Sequence, residues 1–193
     1  MGTKKLDGKI ALVTGASRGI GRAIAEHLAS EGAFVAVHYN AADASAKATL
    51  AAVEAAGGTG AIIQGDLMDP DTPRLLAERF LDLVEKRFGT RAFDILVNNA
   101  GIIRREDALD FSEEDWDAVM DTNLKTLFFL CQAAARHMTG WASQDGERGK
   151  IVNIASMLTF QGGIRVPSYT ASKSGVGGLT KLMANEWAPR GIN

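Results

Sequence analysis

The chain has 193 residues, 46% of them hydrophobic, which suits one globular domain with a buried core. Its 21 Lys and Arg and 23 Asp and Glu leave a net charge of -2 and are scattered, so there is no polybasic footprint for nucleic acid or an anionic membrane. The apolar runs are strand-length and "MGTKKLDGK" has no signal-peptide core, which predicts a cytoplasmic protein; the single Cys131 excludes an internal disulfide framework.

"KIALVTGA" is a short β-branched run closing on glycine, and "GIGRAIAEHLASEG" carries apolar residues at helical spacing until Gly32 ends it. "AFVAVHYN" is a second buried strand. The alternation continues with a helix from about Asp43 to Ala56, strand "GAIIQGDL", a helix from Pro70 to Phe88 and strand "FDILVNNAG". A helix from Ser112 to Met138, strand "GKIVNIAS" and a last helix from about Tyr169 to Trp187 complete it. "SEED" opens the fourth helix as a capping box, with Ser112 as cap and Asp115 in the place of the usual Glu. "TGWASQDGERG", residues 139–149, is polar and glycine-bearing and predicts a surface loop.

Strands separated by helical segments indicate βαβ units. The expected fold is therefore α/β, a doubly wound, Rossmann-like parallel sheet with helices on both faces, in a single domain over residues 1–193. His27, His38 and His137 stand far apart with no second ligand at metal spacing, so they are read as helix-surface or strand-end residues and no metal is expected.

"TGASRGIG" follows the first strand and opens the first helix, spacing Gly15, Gly19 and Gly21 as G-x-x-x-G-x-G. Glycines there let the backbone approach a pyrophosphate, whose charge sits at the positive end of the helix. Ser17, Arg18 and Ile20, between the glycines, are assigned to the same cofactor contact. Where the second strand ends, an acidic residue would bond the ribose 2'-hydroxyl of NAD, but the chain reads His38-Tyr39-Asn40. Asn40 is assigned to the cofactor, and the Arg18 guanidinium suits a 2'-phosphate. These features favour NADP(H), with NAD(H) as the alternative.

Tyr169 and Lys173 lie at i and i+4, so they share one helix face. A phenol of pKa about 10 is a poor base at neutral pH, but a nearby ammonium favours the phenolate. The pair makes a usable proton donor and acceptor for an alcohol or carbonyl. Ser156, expected at the end of the fifth strand, can hydrogen-bond the reacting oxygen.

The glycine spacing resembles that of the short-chain dehydrogenase/reductase family. So do "DL" at Asp66 and Leu67, "NNAG" at 98–101, Asn123 in "DTNL", Ser156, and Tyr169-x-x-x-Lys173. The resemblance implies that Asp66 approaches the adenine amino group, with Leu67 beside it, and that Asn99, Ala100 and Gly101 line the adenosine. It implies that Lys173, next to Tyr169, also binds the nicotinamide ribose, and that Asn123 holds a water relaying protons to Lys173. It further implies a homo-oligomer, tetramer or dimer, packed through the two long helices.

Arg104 and Arg105 in "IIRRED" and Arg165 in "FQGGIRVPSY" flank the expected mouth and suit an anionic small-molecule substrate held with Ser156 and Tyr169. From about Asp94 onward the chain resembles the sugar-acid branch of the family, the 2-dehydro-3-deoxy-D-gluconate 5-dehydrogenases. "TGASRGIGRAIAEHLASEGAFVAVHYN" is instead similar to NADP-preferring reductases, including those acting on 3-oxoacyl carrier protein. The expected activity is interconversion of a secondary alcohol and a ketone on a sugar acid, with a carrier-protein ketoreductase or a non-catalytic cofactor-binding protein as alternatives. Family members run to roughly 250 residues. The resemblance thus implies that two C-terminal strands and a substrate-closing loop are missing after Asn193, and that the 193-residue form is weak or inactive.

Overall fold

The runs IALV and FVAVHY have almost no polar face, and such strands are stable where helices cover both sides of a sheet. In the computed structural model, which describes residues 4–69, 71–140 and 149–193, they form β1 (Ile10–Val13) and β2 (Phe34–Tyr39), buried at every residue. With β3 (Thr59–Gln64), β4 (Ile95–Asn98) and β5 (Lys150–Asn153) they make a wholly parallel sheet in the order β3-β2-β1-β4-β5. The chain leaves β1 towards β2 on one side and returns as β4 on the other. The switch point therefore falls between β1 and β4.

Alternate residues of the strands feed two apolar layers. Ala11, Val13, Val35, Val37 and Val97 pack against Ala25 and Ala29 of α1 (Gly19–Ser30) and Ala46 and Val53 of α2 (Asp43–Ala55). Small alanines let α1 lie close to the sheet. On the other face Leu12, Phe34 and Leu96 meet Leu76, Phe80 and Leu81 of α3 (Thr72–Phe88) and Leu130 and Met138 of α5 (Thr126–Thr139). Leu127 and Cys131 of α5 then pack against Val176 and Met183 of α7 (Pro167–Trp187). No helix among the described residues is long and apolar enough to cross a membrane.

Several boundaries depart from expectation. The expected helix start at Pro70 and most of the expected loop at 139–149 lie outside the described residues. β5 ends at Asn153, so Ser156 sits beyond the strand, in the turn before the short α6 (Leu158–Gln161). Ile192 and Asn193 run alongside β5, with Ile151 N–H donating to the Asn193 carbonyl at 2.8 Å.

The helix expected from Ser112 to Met138 is not regular. It divides into α4 (Glu113–Met120), a wide π turn over Asp121–Lys125, and α5. In the wide turn Thr126 N–H reaches the Asp121 carbonyl, five residues back. The extra residue coincides with Asn123, whose amide bonds both backbone groups of Ile102 and so offsets the irregular helix bond. The capping box forms by half: Ser112 Oγ accepts Asp115 N–H at 3.2 Å, but the Asp115 carboxylate turns to Arg104 Nε at 3.0 Å. Aspartate is one methylene shorter than the glutamate that normally reaches back to the cap.

Phe80 is fully buried and meets Phe93 edge to face, with centroids 5.0 Å apart. Phe80→Ala should lower the unfolding free energy by about 3–5 kcal/mol, read as a lower urea midpoint at unchanged slope. A loss below about 1 kcal/mol would contradict the two-layer core.

Candidate active site

Open parallel sheets bind ligands beyond the carboxyl ends of their strands, at the switch point. Here the ends of β1 and β4 are stitched together by a hydroxyl. Thr14 Oγ1 accepts N–H bonds from Asn99 at 3.0 Å and Ala100 at 3.1 Å, and donates to the Val97 carbonyl. The Asn99 amide returns two bonds, to the carbonyls of Thr14 and Gly15. The close approach demands glycine: Gly15 has φ 61°, and a Cβ on it would lie 2.8 Å from Ala100 Cα, while one on Gly21 would collide with the Asn99 amide and the Gly15 carbonyl.

The result is a cleft of about 450 Å³. It brings together Gly15, Ser17 and Arg18 of the turn, Asn40 after β2, Asp66 and Leu67 after β3, and Asn99 to Gly101 after β4. Gly19 (φ 57°) and the 65% exposed Ile20 open α1 beside it, and Gly21 is buried beneath the turn. Asp66 Oδ1 accepts from Asn40 Nδ2 and Met68 N–H, both at 3.0 Å. Arg18 caps α1 in extended conformation with an exposed side chain.

Among the residues that escaped the sequence reading are His38 and Thr122, which line the cleft, and Thr14, which ties together the strand ends beneath it. His38 stands at a strand end as expected, but it is 2% exposed, and Gly15 N–H donates to its Nδ1 at 3.1 Å while Nε2 lies 3.0 Å from the Gly65 carbonyl. The usable signal was a histidine inside an otherwise unbroken apolar strand. Thr122 Oγ1, in the π turn, is buried with no hydrogen-bond partner.

Beside the cleft, α7 carries Tyr169 and Lys173. Lys173 is 4% exposed; its ammonium donates to the Ile154 carbonyl at 2.6 Å and lies 5.8 Å from the Tyr169 ring centroid. Burial moves its pKa below the usual lysine value. Ser156, two residues beyond Ile154, has Oγ accepting Leu158 N–H at 3.2 Å, and its segment is held to α7 by Thr159 Oγ1 donating to the Lys173 carbonyl at 2.9 Å. A side chain at Gly101 would begin 3.1 Å from Asn123 Oδ1 and 3.8 Å from Lys173 Nζ, so "NNAG", the π turn and α7 converge. Asn123 is fully buried, and its Nδ2 also donates to Ser172 Oγ at 3.3 Å.

Two of the three expected substrate arginines carry ion pairs. Arg104 meets Asp115, and Arg165 meets Glu106 and Asp107, each at 3.0 Å. Arg165, at φ 62° the one non-glycine with positive φ among the described residues, is thereby held to the loop after β4. Arg105 is exposed and forms no ion pair among the described residues.

Known proteins resemble this chain over most of its length. The short chain dehydrogenase family model matches residues 9–193. A 2-dehydro-3-deoxy-D-gluconate 5-dehydrogenase of Escherichia coli K12 is 52% identical over 189 residues, covering 97% of this chain and 69% of that protein. A 3-oxoacyl-(acyl-carrier-protein) reductase of Staphylococcus aureus is 42% identical over 184 residues, 95% of this chain and 70% of that one. A crystal structure from Agrobacterium tumefaciens, assigned as a 2-deoxy-D-gluconate 3-dehydrogenase with bound NADP, has TM-score 0.85 and 51% identity, covering 100% of this chain and 71% of that chain. With the family model matching residues 9–193 and relatives aligned over nearly its whole length, this chain belongs to the short-chain dehydrogenase family.

Proposed function

We propose that the chain is an NADP(H)-dependent oxidoreductase that interconverts a secondary alcohol and a ketone on a sugar acid such as 2-dehydro-3-deoxy-D-gluconate. The observation that carries the reading is the buried Lys173 ammonium, pinned to the Ile154 carbonyl against the face of Tyr169 at the mouth of the switch-point cleft. The 52% identity to a dehydrogenase of that sugar acid supports the substrate over the carrier-protein alternative, whose relative stands at 42%.

The cleft fits a dinucleotide phosphate. Gly15 and the N-terminus of α1 suit the pyrophosphate, Asn99 to Gly101 and Asp66 flank the adenosine side, and Arg18 suits the 2'-phosphate. The nearby carboxylates are engaged: Asp43 with Tyr39 and Lys47, Asp66 with Asn40. No acidic residue ends β2 to prefer an unphosphorylated ribose. Support also comes from the NADP in the A. tumefaciens relative.

The bound nicotinamide would supply or accept hydride. The protein's own residues handle the proton. Tyr169 gives its hydroxyl proton to the substrate oxygen in reduction and takes it in oxidation, and Ser156 Oγ donates a hydrogen bond to that oxygen. The Lys173 charge lowers the cost of the phenolate. Asn123 enters as a positioning residue: its amide is committed to Ile102 and Ser172, and so fixes the loop after β4 against the helix that carries Lys173. Arg105, without an ion pair among the described residues, is the arginine best able to take a substrate carboxylate, while Arg104 and Arg165 shape the loop that presents it.

Exposed Trp116, Phe129 and Leu182 on α4, α5 and α7 support a homo-oligomer formed through these helices. Sedimentation at micromolar concentration should give a dimer or tetramer; a monomer throughout would sink the assembly.

Tyr169→Phe should lower turnover of keto sugar acids by about 10²–10⁴-fold and leave NADPH affinity within about twofold. Retained turnover would contradict the proton-transfer role. Arg18→Ala should weaken NADPH binding by roughly tenfold to a hundredfold with little change for NADH, since it removes one charge-assisted bond. Higher kcat/KM with NADH than with NADPH in the unaltered chain would overturn the cofactor choice.

A further inference from the structure

We infer that His38 is a positioning residue for dinucleotide binding, which holds two walls of the cleft through one neutral ring and sets which N–H groups of the glycine turn face the ligand. The inference rests on the NADP(H) reading of the cleft.

β2 is otherwise apolar or aromatic, and an imidazole buried there is stable only if both ring nitrogens find partners. They do. Gly15 N–H donates to Nδ1, so Nδ1 bears no proton and the neutral ring carries it on Nε2, donating to the Gly65 carbonyl. The backbone carbonyl of His38 accepts the next N–H of the turn, from Ala16, at 2.8 Å. Two successive N–H groups of the turn are thus spent on one residue of β2. The N–H groups that follow and open α1 keep the unpaired ends that an anion can meet.

The opposite side is equally specific. Gly65 has no side chain to crowd the ring: a Cβ there would lie 3.3 Å from His38 Nε2 and 3.2 Å from Thr72 Cγ2. Gly65 precedes Asp66, whose carboxylate is bonded by Asn40, so the ring couples the phosphate turn to the adenine wall. Without it, closing the turn around a phosphate must order both segments at the moment of binding.

Protonation would put a second donor against Gly15 N–H. Burial lowers the His38 pKa to about 4, against an ordinary value of 6.5, with the Gly65 bond and the Asp66 charge opposing the shift. Asp66 is the charged group acting on the ring among the described residues. Because the folded value lies below the unfolded one, the unfolded chain binds more protons between them. The neutral ring's contribution to stability is complete above the unfolded value and is lost as pH falls towards the folded one.

The test compares the unaltered chain with His38→Asn and His38→Gln. Asparagine sets its amide oxygen near the place of Nδ1 and keeps the Gly15 acceptor; glutamine sets its amide nitrogen near Nε2 and keeps the Gly65 donor. Each should lose a similar amount in urea unfolding, since each keeps one of two bonds. NADPH affinity, from fluorescence titration, should stay within about threefold in His38→Asn and fall about tenfold in His38→Gln. As pH drops below about 5, the unaltered chain should lose NADPH affinity faster than His38→Asn. Nitrogen-15 spectra of the unaltered chain should show a neutral Nε2–H ring, a reading that stands even if a variant fails to fold. A protonated Nδ1 at neutral pH, or equal NADPH affinity in all three folded proteins, would overturn the inference. An unaltered chain that binds no NADPH would instead sink the proposed function on which it rests.

Discussion

Every β-strand that ends at a ligand cleft leaves backbone N–H and carbonyl groups that the sheet no longer pairs, and burial makes them costly. In this protein one hydroxyl meets that demand at the switch point. Thr14 Oγ1 takes the N–H groups of Asn99 and Ala100, and Asn99 repays the carbonyls of Thr14 and Gly15. Because these bonds pull the two strand ends within contact, no Cβ fits at Gly15 or Gly21. The glycine spacing is thus as much a consequence of the stitch as a provision for phosphate.

The same logic explains the broken helix. Ile102, just past β4, needs partners for both its backbone groups, and Asn123 supplies them from the opposite face. A regular α-helix has no spare residue to turn inward, so the helix widens for one turn. The widened turn lets Asn123 touch Ser172 of α7 as well, and a Cβ on Gly101 would lie 3.1 Å from Asn123 Oδ1, a tight fit. The cleft and the helix that carries Tyr169 and Lys173 therefore share a scaffold.

The strand and helix alternation was legible because β1 and β2 are apolar on both faces and the helices keep a 3.6-residue period. The glycine turn and Tyr169-x-x-x-Lys173 were legible because their chemistry is local: residues within a few positions share one turn or one helix face. The rest was hidden by distance along the chain. His38 meets groups 23 and 27 residues away, and Arg165 meets Glu106, 59 residues away. Sequence reasoning could place Arg104 and Arg165 near the mouth but not pair them with carboxylates. The π turn left no compositional trace, because it answers a demand made by Ile102 in another segment.

Lys173 shows how burial both creates and limits such a site. An ammonium strengthens its effect on a phenol when water is excluded, yet the same exclusion disfavours the ammonium and lowers its pKa. The Ile154 carbonyl at 2.6 Å and the face of Tyr169 act against that loss by solvating the charge from within the protein. The Ile154 carbonyl, one residue past the end of β5, thus offsets part of the cost of holding Lys173 charged inside the protein.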